Sequence, residues 1–302
     1  MCGGWRTEVM FIINHVSLIY LFIKIDIMNR KRILLSALVL AVCSILVFGC
    51  KKSSNNVVAP SPTVGYIKIA EGYAAGAATK VEIYAVDSAF TGYNKLYIAL
   101  FDSVNNTFVE TAQVTLMPNM DMMSMSHSAP YENPASTSAV NKMFPCSVCF
   151  IMPSSGGTWT LAVTVQNLIN SKNGVATITI NVKDPSTARM FSFISPIDSG
   201  KYFVSFIPPV KPIVGINDFE VVVYKKHSMM MFPADSSLGI SFIPTMPTMS
   251  HSSPNNVDPV HSGKGHYKGK VNFTMTGFWR LSTTFRSSMA VADSAHYFDI
   301  TF

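Results

Sequence analysis

The sequence contains one short phrase twice, and this repetition constrains the fold more than any other feature. "MSHSAP" at residues 125–130 reappears as "MSHSSP" at residues 249–254. Aligning the two phrases, with short gaps downstream of them, places Met152 against Met275 and Trp159 against Trp279. Each copy spans about 110 residues, the size of one immunoglobulin-like β-sandwich. The repeat therefore predicts two tandem domains of the same architecture.

Both copies carry the residue pattern of β-strands. "NKLYIALFDS" and "TWTLAVTVQN" in the first copy, like "FEVVVYKK" in the second, alternate or run apolar between turn-forming residues. No stretch has caps and the 3.6-residue period of an amphipathic helix. The prediction is an all-β fold with two tandem immunoglobulin-like β-sandwich domains, after a signal peptide and a flexible tether. The domains are predicted at residues 65–185 and 190–302.

Residues 28–49 have the layout of a secretory signal peptide. A basic start, "NRKR", is followed by an apolar run too short to span a membrane. The run ends in "VFGC", which resembles the lipobox of bacterial lipoproteins. That resemblance implies cleavage before Cys50 and lipid acylation of this cysteine, which would anchor the chain to a membrane. The alternative is an ordinary signal peptide with an incidental cysteine.

The segments on either side of this signal complete the expected layout. Residues 1–27 precede a signal peptide and are interpreted as a gene-model artefact, with translation starting at Met28. The alternative is an additional membrane helix. Residues 50–64 are polar and contain two prolines, as expected of a lipidated, flexible tether. The predicted location is the bacterial cell envelope, lipid-anchored on a periplasmic or outer-membrane face.

Charge and motif content exclude two broad classes of function. The formal net charge is +6, and five Lys and Arg residues precede Cys50. The remaining charge is too small, and too evenly spread, for a nucleic-acid-binding surface. The nucleophile-elbow, zinc-protease and phosphate-loop motifs of common enzymes are absent from the sequence. The protein is therefore predicted to bind neither DNA nor RNA and not to be an enzyme.

The second copy also resembles a known family. In "GHYKGKVNFTMTGFWRLSTTF", a Met- and His-bearing loop is followed by a glycine–tyrosine strand and a glycine–tryptophan strand. This order is similar to the YtkA-like/FixH-like domain family, at positions Gly265, Tyr267, Gly277, Trp279 and Leu281. The first copy departs from it, because "NKMFPCSVC" replaces the glycine–tyrosine signature. The resemblance implies an exported or tethered immunoglobulin-like binding module with a link to copper, some relatives acting around cytochrome oxidase assembly.

The loop phrases themselves predict metal binding. Thioether sulfur is a soft ligand and imidazole an intermediate one, so a set of methionines with one histidine suits Cu(I). Neutral methionine also binds without losing a proton. The predicted ligands are Met120, Met122, Met125, His127, Met246, Met249 and His251. Methionines in the neighbouring strands, including Met152 and Met275, are predicted to be core residues.

Further ligands lie downstream of each phrase. His261 and His266 follow the second phrase closely enough to fold back beside it. In the first copy the equivalent region holds Cys146 and Cys149, for which a disulfide, a soft-metal clamp and a redox pair all remain open. Bridging or chelation requires a turn between them, which Pro145 could supply. A minor candidate is the "HSMMM" segment at residues 227–231.

These observations predict a lipid-anchored envelope protein that binds copper as its cofactor through Met/His loops. It would act as a carrier, a buffer or an oxidase-assembly factor, and its partner would be a copper-receiving protein. The main alternative is a non-catalytic structural or protein-interaction module without metal, in which the methionines form an adaptable apolar surface. A third reading is a redox protein centred on Cys146 and Cys149.

Overall fold

The computed structural model describes residues 62–302, which fold almost entirely into antiparallel β-sheet. The expectations for residues 1–27, the signal peptide at 28–49, Cys50 and most of the tether lie outside the described residues. The first nine strands are β1 (Ile67–Ala74), β2 (Thr79–Ala85), β3 (Gly92–Asp102), β4 (Ala112–Asp121), β5 (Ser126–His127), β6 (Tyr131–Glu132), β7 (Phe144–Phe150), β8 (Thr158–Asn167) and β9 (Lys172–Ile180).

Ten strands follow in the second half of the chain. They are β10 (Met190–Ile194), β11 (Lys201–Ile207), β12 (Gly215–Lys225), β13 (Leu238–Met246), β14 (His251–Ser252), β15 (Val257–Gly263), β16 (His266–Phe273), β17 (Phe278–Ser287), β18 (Ala290–Asp293) and β19 (Tyr297–Thr301). Three one-turn 3-10 helices complete the described elements, at Ala75–Ala77, Ser154–Gly156 and Pro247–Met249. None of these turns has the length or hydropathy of a membrane-crossing helix.

The strands form four sheets, two in each half. In the first half, the order β1-β2-β3-β7-β6 faces the order β5-β4-β8-β9. In the second half, β10-β11-β12-β16-β15 faces a sheet in which β17 pairs with β13, β18 and β19, and β14 pairs with β13. The all-β sandwich fold predicted from the sequence is confirmed.

Each sandwich has its own apolar core, built from the inward-facing residues of alternating strands. Trp159 on β8 and Trp279 on β17 are fully buried in the first and second cores. The first core runs from Ala74 to Val182 and the second from Phe193 to Ile300. The two tryptophans occupy equivalent strands, as the repeat predicts.

A third, smaller cluster lies where the two sandwiches meet. Cys149 on β7 packs with Phe203, Val222 and Tyr224 on β11 and β12, and with Phe232. These side chains point away from their own sandwich cores, so the outer faces of two sheets pack against each other. A hydrogen bond also crosses the junction, from the backbone N–H of Tyr93 to Ser205 Oγ at 2.8 Å. The sandwiches therefore share buried surface and are not joined by the linker alone.

Candidate metal centre

Two pairs of methionines lie in the opposite kind of element from the one predicted: one pair in strands and the other in turns. Met120 is the next-to-last residue of β4 and Met246 is the last residue of β13, and both are buried. The loops thus begin later than predicted. Conversely, β7 ends at Phe150 and β16 at Phe273, so Met152 and Met275 lie in turns and are only half-buried. The assignment of the first pair to loops and the second pair to strands was wrong.

His127 lies directly across the β4–β5 hairpin from Met120, in the described part of the first sandwich. Only 5% of its surface is exposed, and its ring packs edge-on against Trp159 with 5.4 Å between ring centroids. Nδ1 lies 2.8 Å from the carbonyl oxygen of Ser128. A carbonyl can only accept, so we assign the Nδ1 proton to this hydrogen bond. A neutral His127 then carries a free lone pair on Nε2.

Met152 faces that lone pair. The distance from His127 Nε2 to Met152 Sδ is 3.1 Å. The Trp159 indole N–H donates to the Met152 carbonyl oxygen at 2.9 Å, which fixes the backbone of this turn. A thioether sulfur accepts but never donates a hydrogen bond. Two lone pairs at this distance repel, so the contact fits either a hydrogen on Nε2 that the sulfur accepts or a metal ion that both atoms bind.

The end of the Met120 side chain lies near the same turn as that of Met152. A Cβ atom built on Gly156 would lie 2.6 Å from Met152 Cε and 3.7 Å from Met120 Cε. A Cβ built on Gly157 would lie 3.1 Å from Met120 Cε. Both methionine side chains thus meet over the 3-10 turn at Ser154–Gly156, where two glycines leave room for them. The register pairs Met120 with both His127 and Trp159, so these three side chains share one face of the sheet.

The second sandwich repeats this arrangement in a looser form. Met246 pairs with His251 across the hairpin, and the Trp279 indole N–H donates to the Met275 carbonyl oxygen at 3.0 Å. His251 is half-buried, and its Nε2 lies 2.8 Å from the Thr274 hydroxyl oxygen. The hydroxyl therefore takes the place that Met152 sulfur has in the first sandwich.

The remaining predicted methionine ligands lie at or near the surface. Met122 is half-buried against the first core. Met125 and Met249 are 54% and 58% exposed. Neither exposed side chain is held beside its histidine by a described contact. The structure therefore leaves Met125 and Met249 at the surface.

The two additional histidines serve other contacts. His266 Nε2 and Nδ1 bind Glu132 and Glu220 at 2.9 and 2.7 Å. His266 begins β16, whereas Thr274 follows its end, so eight residues of strand separate His266 from the His251 site by about 26 Å. His261 Nε2 accepts from the Gly265 N–H at 3.3 Å. Neither histidine lies at the predicted site.

The two cysteines do not form a pair. Both are free and buried on β7, which continues as a regular strand through Pro145. Cys146 faces the first core and Cys149 faces the junction cluster, because residues i and i+3 of a strand point to opposite faces. Burial raises the pKa of the Cys149 thiol to about 12, while a hydrogen bond with Ser205 opposes this shift. Burial also raises the pKa of Cys146. In this geometry the pair is neither a disulfide nor a chelating clamp, and it lacks reactive thiolates.

The minor candidate at residues 227–231 forms a surface loop at the junction. The Met229 carbonyl oxygen accepts from the Ser128 N–H at 2.9 Å, one residue after His127. Met229, Met230 and Met231 are each more than a third exposed. Within residues 62–302, no three His, Cys, Asp or Glu side chains converge in a metal-binding arrangement.

Sequence reasoning missed Met152 and Met275 as site residues, although a signal for both was present. The repeat aligns them with each other, and each precedes the aligned tryptophan by a few residues. The alternation of Phe150 with Met152 led to the wrong assignment, since it continues the strand pattern two residues beyond the real end of β7.

Comparison with known proteins adds little to this picture. No protein-family model matches the sequence, and no curated protein matches it. Domains 5–6 of the S-layer protein SbsC align at 9% identity and a TM-score of 0.28, covering 78% of this chain and 96% of that one. The D00-D0 domain of intimin aligns at 10% identity and a TM-score of 0.23, covering 73% and 98%. Scores this low support no inference about function, and the YtkA-like/FixH-like resemblance stays a prediction.

Proposed function

We propose that this protein is a lipid-anchored envelope protein that binds Cu(I) through His127, Met152 and Met120, as a carrier, buffer or oxidase-assembly factor. The 3.1 Å approach of His127 Nε2 to Met152 Sδ carries the proposal. Bonds of about 2.0 Å to nitrogen and about 2.3 Å to sulfur would separate two ligands of one ion by about 3–4 Å. The observed distance falls in this range without any movement of the backbone.

The chemistry of the cluster favours a soft, monovalent ion. All three ligands are neutral, and their surroundings are the apolar side chains of the first core. A second charge on the ion would cost more desolvation there than a single charge. The Ser128 carbonyl oxygen orients the imidazole from its far side, which is the usual arrangement of a metal-ligating histidine.

The two sandwiches would differ in affinity. His251 is more exposed than His127, and its Nε2 is engaged with the Thr274 hydroxyl. Copper bound there would have to displace this hydrogen bond. We therefore place the tighter site in the first sandwich and a weaker one in the second.

The membrane anchor in this proposal derives from the sequence alone, from the "VFGC" segment ending at Cys50. Mass spectrometry of the native protein tests it separately, since lipidation adds acyl mass to an N-terminal Cys50. An unmodified Cys50 removes the anchor and leaves the copper site untouched.

Competitive titration with Cu(I) and a colorimetric chelator tests the metal site. We expect one tight site per chain, weakened at least tenfold by H127A or M152L. Leucine preserves the volume of methionine but removes the sulfur, so the fold should be retained. M123L is the matched control, because Met123 lies in the same hairpin and is fully exposed. Unchanged affinity in both H127A and M152L would exclude this site.

A further inference from the structure

A groove between the two sandwiches has the properties of a small-molecule binding site. Its volume is about 710 Å³, within the range of about 300–1,000 Å³ that is typical of ligand pockets. Its walls are mostly apolar and come from both sandwiches, with Met117 and Tyr131 on one side and Met231 and Phe232 on the other. Clefts between domains are among the preferred places for such sites.

Contacts at the junction hold the groove in shape. Beside the groove, the Ser128 N–H of the first sandwich donates to the Met229 carbonyl oxygen of the second. Glu132 lines the groove and binds His266 of the second sandwich. The site is therefore formed before any ligand arrives, which lowers the entropy cost of binding.

One polar group in the groove lacks a partner. Tyr224 lines the groove, is 2% exposed, and its hydroxyl makes no hydrogen bond. It is the one buried side-chain nitrogen or oxygen in residues 62–302 with this property. Burial raises its pKa well above the usual value, and the nearby Cys149 and Glu132 raise it further. The hydroxyl thus stays protonated beside the Glu132 carboxylate without a hydrogen bond of normal length, a costly arrangement for a buried group.

A positively charged side chain also lines the groove. This is Lys264, and its ammonium group is 3.7 Å from Glu132 Oε2. The other oxygen, Oε1, accepts from Tyr93, Ser147 and His266 at 3.3, 3.1 and 2.9 Å. His266 shares its charge between Glu132 and Glu220, and the mostly exposed Lys264, 3.7 Å from Glu132, is also open to an anion in the groove.

We infer that this groove binds a small aromatic molecule with one acidic group, which would accept from Tyr224 and pair with Lys264. The aromatic body would lie among the methionine thioethers, which contact aromatic rings favourably. This site is distinct from the His127 cluster and does not require that copper binds.

Fluorescence titration of the purified chain with 8-anilinonaphthalene-1-sulfonate, in the presence of a copper chelator, tests the inference. This probe combines aromatic rings with one acidic group. We expect saturable binding of one molecule per chain, about tenfold weaker in Y224F, as for the loss of a hydrogen bond to a charged group. Y224F should also raise the melting temperature, because it removes an unpaired buried hydroxyl.

Two further variants locate the bound probe. A135W should abolish binding, since Ala135 is exposed at the rim of the groove and a large ring would fill it. Y73F should bind normally, since it removes the hydroxyl of a 63% exposed tyrosine on β1. Competition by 4-phenylbutyrate, and weaker competition by its amide, would support the acidic group. Absence of saturable binding, or equal affinity in wild type, Y224F and A135W, would overturn the inference.

Discussion

His266 of the second sandwich and Glu132 of the first form an ion pair across the junction, with 2.9 Å between Nε2 and Oε1. The other ring nitrogen binds Glu220, so one imidazole ties two carboxylates together. Burial lowers the pKa of His266, but the hydrogen bonds to Glu132 and Glu220 outweigh it and raise the pKa to about 9 from 6.5. His266 is therefore positively charged at neutral pH.

The stability of the protein should depend on pH through this group. Because the folded-state pKa of His266 exceeds the unfolded one, its contribution of about 3 kcal/mol is complete below pH 6.5 and is lost as pH rises through about 9. Burial raises the pKa of Glu132 and Glu220, but their bonds to His266 lower it by more, so their contribution is lost as pH falls below 4.5. Thermal unfolding measured from pH 4 to 10 should show this optimum.

H266Q should remove the alkaline part of that profile and destabilise the protein by about 3 kcal/mol, since it leaves two half-buried carboxylates with only the more exposed and more distant Lys264 and Lys268 as cations. E71Q is the control, because Glu71 forms a surface pair with Lys68 and should change stability by less than about 1 kcal/mol. An H266Q profile that still falls between pH 6.5 and 9 would assign the transition to another group.

The cysteines should be inert in the folded protein. Cys146 and Cys149 are buried on opposite faces of β7, and burial raises the pKa of both thiols. We expect both to resist a thiol reagent at pH 8 until denaturant is added, and then to react together. Mass spectrometry under non-reducing conditions should find no loss of two hydrogens between them. Rapid labelling in native buffer would contradict the described burial.

Gly156 offers a test of the metal centre that leaves every proposed ligand in place. An alanine Cβ would meet Met152 Cε, the mobile end of a flexible side chain, and the backbone φ of Gly156 is not in the left-handed region. G156A should therefore fold with less than about 1 kcal/mol lost, yet weaken Cu(I) about tenfold by displacing the Met152 sulfur. G239A, where the nearest neighbour to a Cβ is 3.9 Å away, should have no effect.

Tryptophan emission should report which sandwich binds first. Trp159 lies 5.4 Å from the His127 ring and Trp279 lies 6.0 Å from His251. Addition of Ag(I), a soft monovalent ion without redox chemistry, should change Trp159 emission at lower concentration than Trp279 emission. The early phase should vanish in W159F and persist in W279F. Loss of the early phase in W279F alone would reverse our order of affinities.

The repeat and the strand pattern predicted the architecture because both depend on alternation, which persists in each strand. Strand ends were harder to predict, since alternation does not show where hydrogen bonding stops. Met120 was assigned to a loop and Met152 to a strand for this reason. A shift of two or three residues at each boundary exchanged the buried and the half-buried methionine.

The junction was not predicted from the sequence, although β12 carried a sign of it. Residues 221–224 read "VVVY", an unbroken apolar run in a fold whose outer strand faces usually alternate with polar residues. Val221 and Val223 enter the second core, while Val222 and Tyr224 enter the junction cluster. The run does not indicate which surface it packs against. In this protein that surface comes from another part of the same chain.

This double burial also limits how the gene can change. A single codon inserted into β12 would move every following side chain to the opposite face. Val222 would then point into the second sandwich and Val223 into the junction, so one event would disturb two packed surfaces. We therefore expect insertions and deletions to be rare in β12 among related sequences. They should be tolerated in the proline-rich connection at residues 208–214, which has no regular structure.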